Sequence, residues 1–225
     1  MLNALELTGR AATHVGEISG LGCALHADAG RALLAMREAA RGAGIDVGVA
    51  SGFRDFPRQV AIWTAKFKGE RALLDRHGLE IEHASLDEAA LIQAILLWSA
   101  LPGASRHHWG SEVDVIDLAC LPAGGRPRLV PQEFAPGGCF TRLDRWLADN
   151  MARFGFFRPY TTDRGGVQPE PWHLSYRPVS VPALEALSVD VLAEAIAGTD
   201  MPGRGQVLEG LQEIYARYVR AVDTP

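Results

Sequence analysis

His107 and Asp114 have the residue types and the spacing of two ligands of one metal ion. His107 lies seven positions before Asp114, and Gly110 between them permits a tight turn, so a loop residue and a strand residue can converge. Asp114 alternates with Val113 and Val115, and side chains alternate between the two faces of a strand. If the two valines face the core, the Asp114 carboxylate therefore points into a cleft.

A second pair of candidate residues lies in the segment Glu170-Pro171-Trp172-His173. Residues three apart on a straight strand point to opposite faces, so Glu170 and His173 could not share a site there. Pro171 favours an extended backbone at Glu170 and removes a ladder donor, which predicts a bend before the strand. The bend would bring Glu170 beside His173 while Trp172 and Leu174 pack inward.

Two histidines and a carboxylate suit Zn2+, which then keeps its fourth tetrahedral position for water. Zinc lowers the pKa of that water toward ~7 and polarises a peptide carbonyl, so the site predicts amide hydrolysis. A carboxylate that does not bind the metal can take a proton from the water and pass it to the leaving amine, and Glu170 fits that role. The oxyanion needs a further positive partner, for which Arg54 is the best candidate.

Three segments resemble the motifs of one enzyme family. Residues 105–114 (SRHHWGSEVD) are similar to the SxHxxGxxxD motif of the D-alanyl-D-alanine carboxypeptidase/dipeptidase metallopeptidases, the VanY/VanX type. Residues 170–173 (EPWH) resemble their ExWH motif, and residues 51–54 (SGFR) resemble their SGYR segment, with Gln59 near a glutamine that often follows it. The three segments occur in the family's order and span roughly residues 45–177.

The resemblance implies a zinc ion bound by His107, Asp114 and His173, with Glu170 as the catalytic base and Arg54 as the transition-state partner. Further residues in or beside the motifs become candidates for substrate contact, with the two tryptophans as cleft walls or core: Ser105, Gln59, Trp109 and Trp172.

The resemblance also implies an α+β fold, in which a small antiparallel sheet is flanked by helices, as in lysostaphin-type endopeptidases and the hedgehog signalling domain. Glu112 departs from the family, which usually has a small residue two positions before the aspartate. Segments 66–85 and 120–138 look like insertions that could reshape substrate access.

The elements that must position these residues follow from apolar periodicity and from Gly and Pro breaks. We predict helices at 29–43, 57–67, 87–98, 141–154, 181–197 and 205–222, and strands at 45–50, 113–118 and 172–176. Together they predict one metallopeptidase domain over residues 1–225, with a catalytic core at about 29–180 and a helical C-terminal extension at about 181–225.

Composition limits the remaining function classes. Net charge is −5, which argues against nonspecific nucleic-acid binding but not against a small peptide or muropeptide substrate. The three cysteines form no CxxC pair, so neither a disulfide framework nor a cysteine metal site is expected. The most apolar window, 89–101, is shorter than the ~20 residues of a membrane span. Without a recognisable signal segment the chain as given is expected to be cytoplasmic, with a periplasmic or cell-wall site of action left open; its oligomeric state is not predicted.

Several functions remain open at this point. The bond cut could be that of a D-Ala-D-Ala carboxypeptidase, of an L,D-carboxypeptidase or of an L-Ala-D-Glu-type endopeptidase, because the metal machinery is common to all three. A zinc-binding interaction module without turnover is a second class, and Glu170 argues against it because a structural zinc site needs no base. A non-haem iron oxygenase is a third, but the HxD spacing usual for that class is absent.

Overall fold

An antiparallel four-stranded sheet forms the centre of the computed structural model, which describes residues 1–122 and 124–225. The strands are β1 (Gly16–Ile18), β2 (Cys23–Leu25), β3 (Val47–Ser51), β4 (Leu73–Leu74), β5 (Glu80–Ile81), β6 (Glu112–Asp117), β7 (Phe156–Phe157) and β8 (His173–Tyr176). The central sheet has the order β3-β6-β8-β7, while β1-β2 and β4-β5 form separate two-stranded sheets.

Helices surround this sheet. They are α1 (Ala4–Leu7), α2 (Ala27–Gly42), α3 (Phe56–Phe67), α4 (Glu88–Leu96), α5 (Pro131–Phe134), α6 (Thr141–Asn150), α7 (Arg177–Ala186), α8 (Val189–Ala197), α9 (Arg204–Glu209) and α10 (Leu211–Ile214), followed by a π-helical turn at Tyr215–Arg220. In the described residues, no helix combines the length and apolar character that crossing a bilayer requires.

The register of β6 places the candidate residues in one row across the sheet. Asp114 lies opposite Ser51 of β3 on one side and opposite His173 of β8 on the other. Val113 and Val115 are buried in the core between the sheet and helices α2 and α6, so the Asp114 side chain points to the other face, as predicted. A register shift between Val49 and Ser51 accompanies this row.

A second core joins α3 and α4 to the C-terminal helices, and the C-terminal segment also reaches the loop before β8. The Asp223 amide donates to the Pro159 carbonyl at 2.9 Å, and the Asp223 carboxylate accepts from the Thr161 amide at 2.8 Å and from Arg164 Nε at 2.7 Å. These bonds hold the chain on both sides of Tyr160. Burial disfavours the charged carboxylate, but Thr161 and Arg164 outweigh it and lower the pKa of Asp223 to about 2.

The predicted α+β architecture is confirmed, and several local predictions are wrong. The single helix predicted at 205–222 is broken at Gly210 and ends in the π-helical turn. The helix predicted at 181–197 is two helices, because Ser188 starts α8 by capping the Val191 amide. The segment 66–85 contains the β4-β5 hairpin, and 120–138 contains α5 within its described part.

Candidate metal centre and cleft

His107, Asp114 and His173 meet at one buried point on the free face of the sheet. One ligand atom from each lies within 4.8 Å of the others. His107 Nε2 is 3.4 Å from Asp114 Oδ2, and His173 Nδ1 is 3.1 Å from Asp114 Oδ1. Ligand atoms held about 2.0–2.1 Å from zinc at tetrahedral angles are about 3.3 Å apart, so both distances to the Asp114 carboxylate are of the size that a zinc site requires.

The position of His107 depends on the turn that precedes β6. Residues Arg106–Trp109 form one 3-10 turn, which Gly110 ends in the left-handed conformation at φ +65°. A Cβ on Gly110 would lie 2.3 Å from Val15 Cγ1 and 2.9 Å from the His26 amide nitrogen. Only glycine therefore allows this turn against β2, as the spacing in the sequence indicated.

The hydrogen bonds of the two histidines leave one ring nitrogen of each free for a metal. His107 Nδ1 donates to the Gly52 carbonyl at 2.8 Å, which leaves the Nε2 lone pair facing Asp114. His173 Nε2 is 2.9 Å from Glu112 Oε2, which leaves Nδ1 facing Asp114. Such outer hydrogen bonds fix the tautomer and the ring orientation of a ligating histidine.

Glu112 is part of the candidate site, although the sequence marks it only as a departure from the family pattern. Its carboxylate is fully buried and accepts hydrogen bonds from Ser111 Oγ at 3.0 Å and from Ser175 Oγ at 2.9 Å, besides its 3.4 Å contacts with Arg106. Burial opposes its charge, but Arg106 and then His173 outweigh burial and lower the pKa of Glu112 to about 2. Its position two residues before Asp114, on the same strand face, was the available signal.

The carboxylates around His173 favour a positive charge at the candidate metal site. Burial disfavours an imidazolium, but hydrogen bonds to Asp114 and Glu112 outweigh burial and raise the pKa of His173 to about 10. Burial likewise opposes the charge of Asp114, yet His107 and His173 hold its pKa well below the usual range. A divalent cation bound among these groups would supply the positive charge that a proton on His173 supplies in its absence.

Glu170 lies beside the three candidate ligands, and the predicted bend is confirmed. The His173 amide donates to the Glu170 carbonyl at 3.1 Å across a turn that contains Pro171. Glu170 Oε2 is 3.6 Å from His173 Nδ1, and the Glu170 amide donates to the Tyr160 carbonyl at 3.0 Å. Burial raises the pKa of Glu170 to about 7, against the opposing effect of His173. A carboxyl group with this pKa can both accept and return a proton near neutral pH.

Arg54 extends from the end of β3 into the same cleft. Its guanidinium donates to Gln59 Oε1 at 2.8 Å and to Ser51 Oγ at 3.1 Å. The neighbouring carboxylate of Asp55 caps α3 by accepting from the Arg58 amide at 2.8 Å. Arg54 is thus fixed in the cleft and not paired on the surface.

The cleft has a volume of about 360 Å³ and contains two of the four predicted substrate-contact residues. Ser105 and Trp172 line it, together with Tyr160, whose ring centroid is 5.3 Å from that of His173. Trp109 and Gln59 do not line it; Trp109 takes the core position that was one of its two expected places. Trp109 is fully buried in the helical core, where its indole donates to the Leu7 carbonyl at 3.1 Å. Gln59 is also buried and reaches the cleft only through Arg54, since its amide donates to the Ala100 carbonyl.

His108, the neighbour of His107 in the sequence, belongs to the scaffold. Its Nδ1 contacts the Arg54 carbonyl at 2.6 Å, and its Nε2 accepts from the Gly103 amide at 3.2 Å. Burial lowers the pKa of His108 to about 3, so the ring is neutral and ties the motif turn to the segment that carries Arg54.

A buried two-histidine, one-aspartate cluster with a neighbouring carboxylate can hold a divalent metal ion beside a proton acceptor, a combination that metal-dependent hydrolases use. The family model for VanY, D-alanyl-D-alanine carboxypeptidase, matches residues 22–179, and the chain belongs to this family. The predictions of the family and of an enzyme of the carboxypeptidase class are confirmed.

Two curated relatives illustrate the match. An uncharacterized protein of Haemophilus influenzae is 36% identical over 121 residues, which are 53% of this chain and 92% of that protein. A D-alanyl-D-alanine carboxypeptidase of Enterococcus faecalis is 30% identical over 142 residues, 62% of this chain, and the match spans only 43% of that protein.

Two solved structures share the fold. A vancomycin-resistance D,D-pentapeptidase, VanY from a VanB-type resistance cassette, in complex with Zn(II), gives a TM-score of 0.52 at 27% identity over 73% of this chain and 79% of that one. VanYB in complex with D-alanine-D-alanine gives 0.51 at 24% identity over 82% and 90%.

Proposed function

We propose that this chain is a zinc-dependent carboxypeptidase that hydrolyses peptidoglycan-type peptides, with His107, Asp114 and His173 as zinc ligands. The observation that carries the proposal is the convergence of these three side chains with Glu170 in one cleft. The VanY structure that contains Zn(II) supports the choice of metal. The resemblance of the three motifs supports the peptide substrate.

The residues of the chain divide the work of hydrolysis. Bound zinc would polarise the scissile carbonyl and lower the pKa of water. The Glu170 carboxylate takes a proton from the attacking water and delivers it to the amine that leaves. Arg54, held in place by Ser51 and Gln59, stabilises the negative charge that develops on the carbonyl oxygen.

The position of Glu170 favours turnover over a purely structural metal site, which a fourth protein ligand would close. Its carboxylate remains 3.6 Å from His173 Nδ1 and faces the cleft. The four-stranded sheet also differs from the jelly roll expected for an iron oxygenase.

The test compares the wild type with Glu170→Gln and His173→Ala. Protein purified without added metal should contain about one zinc per chain in the wild type and in Glu170→Gln, and far less in His173→Ala. Hydrolysis should be lost in both variants. Wild-type turnover by Glu170→Gln would refute the role of the base, and an equal zinc content in His173→Ala would refute the ligand set.

The same protein preparation serves to identify the peptide bond that is cut. Muropeptides that end in D-Ala-D-Ala, tetrapeptides with one terminal D-Ala, and peptides blocked at both ends are incubated with the enzyme, and the products are identified by mass spectrometry. Loss of one terminal D-Ala identifies a D,D- or L,D-carboxypeptidase. Cleavage of the blocked peptides alone would contradict the proposed carboxypeptidase.

A further inference from the structure

The cleft is strongly cationic although the chain as a whole is acidic, with a net charge of −5. Five cationic side chains line it, against the two carboxylates of Asp114 and Glu170: Arg54, Lys66, Arg71, Arg106 and Arg128. Such a local excess of one sign attracts a ligand of the opposite charge.

Two of these cations already have a structural partner. Arg54 is held by Ser51 and Gln59, and Arg106 pairs with Glu112. No ion pair within residues 1–122 and 124–225 includes Lys66, Arg71 or Arg128. Lys66 and Arg71 are only five residues apart, on either side of the end of α3. Lys66 is also partly buried, and taking a charged group out of water costs free energy unless the group is paired.

The geometry of α3 directs Lys66 into the cleft. Ile62 and Lys66 are one turn apart on the helix face that lines the cavity, and helical side chains lean toward the N-terminus of their helix. The Lys66 side chain therefore leans toward Ile62. After the helix the chain reverses at Gly69, at φ +74°, and the Arg71 amide donates back to the Ala65 carbonyl at 3.2 Å. Arg71 thus returns to the side of Lys66.

The carbonyls at the end of α3 do not need the Lys66 ammonium. Backbone amides already donate hydrogen bonds to these carbonyls: Lys68 to Thr64 at 3.0 Å, Gly69 to Lys66 at 3.1 Å and Glu70 to Ala65 at 2.8 Å. The Phe67 carbonyl lies 2.9 Å from His83 Nε2. The ammonium is thus available to a ligand. Burial lowers the pKa of Lys66 to about 8, against the opposing effect of Glu170, so a bound anion would also restore its full charge.

We propose that Lys66 and Arg71 form an anion subsite that binds the α-carboxylate of the residue released by hydrolysis. This inference rests on the proposed function, because it assigns the orientation of the peptide in the same cleft. The α-carboxylate of a C-terminal residue is separated from the scissile carbonyl only by the nitrogen and the α-carbon of that residue. It therefore stays within the cavity that contains both the metal centre and the two cations. The subsite makes a free C-terminus the feature that the enzyme selects.

The experiment uses an N-acetylated tripeptide ending in D-Ala-D-Ala, both as the free acid and as the C-terminal amide. The wild type should prefer the acid in kcat/KM, and Lys66→Met should lower kcat/KM for the acid about 10- to 100-fold, chiefly through KM, while the amide is unaffected. Lys66→Arg should retain most of the preference. Lys68→Met, on an exposed residue outside the cleft at the end of the same helix, is the matched control and should behave as the wild type.

Calorimetric binding of both peptides to Glu170→Gln and to Glu170→Gln/Lys66→Met gives a readout that does not depend on turnover. A preference for the acid that Lys66→Met removes supports the subsite even if no peptide is hydrolysed, in which case only the proposed function fails. If Lys66→Met weakens acid and amide equally, or weakens neither, the subsite is refuted. Retention of the acid preference in Lys66→Met but not in Lys68→Met would also overturn it.

Discussion

Replacing Glu112 with Gln should weaken zinc binding, although Glu112 is not a proposed ligand. The carboxylate accepts a hydrogen bond from His173 Nε2 at 2.9 Å, and both groups are buried. Loss of such an outer carboxylate costs about 10- to 100-fold in metal affinity, or about 1.4–2.7 kcal/mol. A glutamine of the same shape keeps one acceptor but loses the charge, so we expect the lower half of this range.

The same substitution should also destabilise the zinc-free protein, because it leaves Arg106 buried without its counter-charge. Breaking a buried ion pair costs about 3–5 kcal/mol. The Arg106–Glu112 contacts are 3.4 Å long, whereas strong charged hydrogen bonds measure about 2.7–2.9 Å, and Arg106 keeps its 2.7 Å bond to Ser175 Oγ. A loss near 3 kcal/mol is therefore expected, measured by urea unfolding.

Competition with a chelator measures the zinc affinity. Two further variants separate the effect on zinc affinity from the effect on stability. Asp117→Asn removes another buried carboxylate from β6, one that accepts from the Asp46 and Ala119 amides, and should lower stability without changing zinc affinity. Arg106→Met/Glu112→Gln should recover part of the stability but none of the affinity. If Glu112→Gln binds zinc as the wild type does, Glu112 does not orient His173.

Two other predictions follow from Glu170 and Gly110. On the acid side of the pH profile, kcat/KM should rise with pH, because Glu170 must be ionised to accept a proton. The pKa of Glu170 is about 7 without metal, and the charge of bound zinc lowers this pKa. Half-maximal kcat/KM should therefore lie below pH 7. A pH profile whose acid limb lies above about 7 would contradict this. Gly110→Ala should lower the Tm far more than the control Gly20→Ala. Both glycines have a positive φ, but of the two only Gly110 has neighbouring atoms that an added Cβ would strike. Equal Tm shifts in the two variants would refute this explanation.

The fold could be predicted where a periodic pattern coincides with burial. Helix α3 was expected at 57–67 and is observed at Phe56–Phe67, and β6 was expected at 113–118 and is observed at Glu112–Asp117. The β1-β2 and β4-β5 hairpins were missed because strands of two or three residues have no periodicity of their own. The break at Gly210 was missed because apolar spacing continues through it.

The site could be predicted where local spacing alone sets the geometry. His107, Asp114, Glu170 and His173 lie in two short segments, and the register between β6 and β8 brings them together. Trp109 takes the core position, one of the two expected for it, because a 3-10 turn points neighbouring side chains in different directions and its ring faces the helical core. Lys66 and Arg71 were missed since their place in the cleft depends on how the end of α3 packs, which no motif records.

The hydrogen bonds of Asp223 connect the segment after the last helical turn to the residues beside the candidate base. Asp223 forms hydrogen bonds with Pro159 and Thr161, the two neighbours of Tyr160. The Tyr160 carbonyl in turn accepts a hydrogen bond from the Glu170 amide. The family match ends at residue 179, so Asp223 lies outside the matched residues and is only two hydrogen bonds from the proposed base. A substitution at Asp223 is therefore expected to shift the backbone that holds Glu170, although Asp223 belongs to none of the motifs.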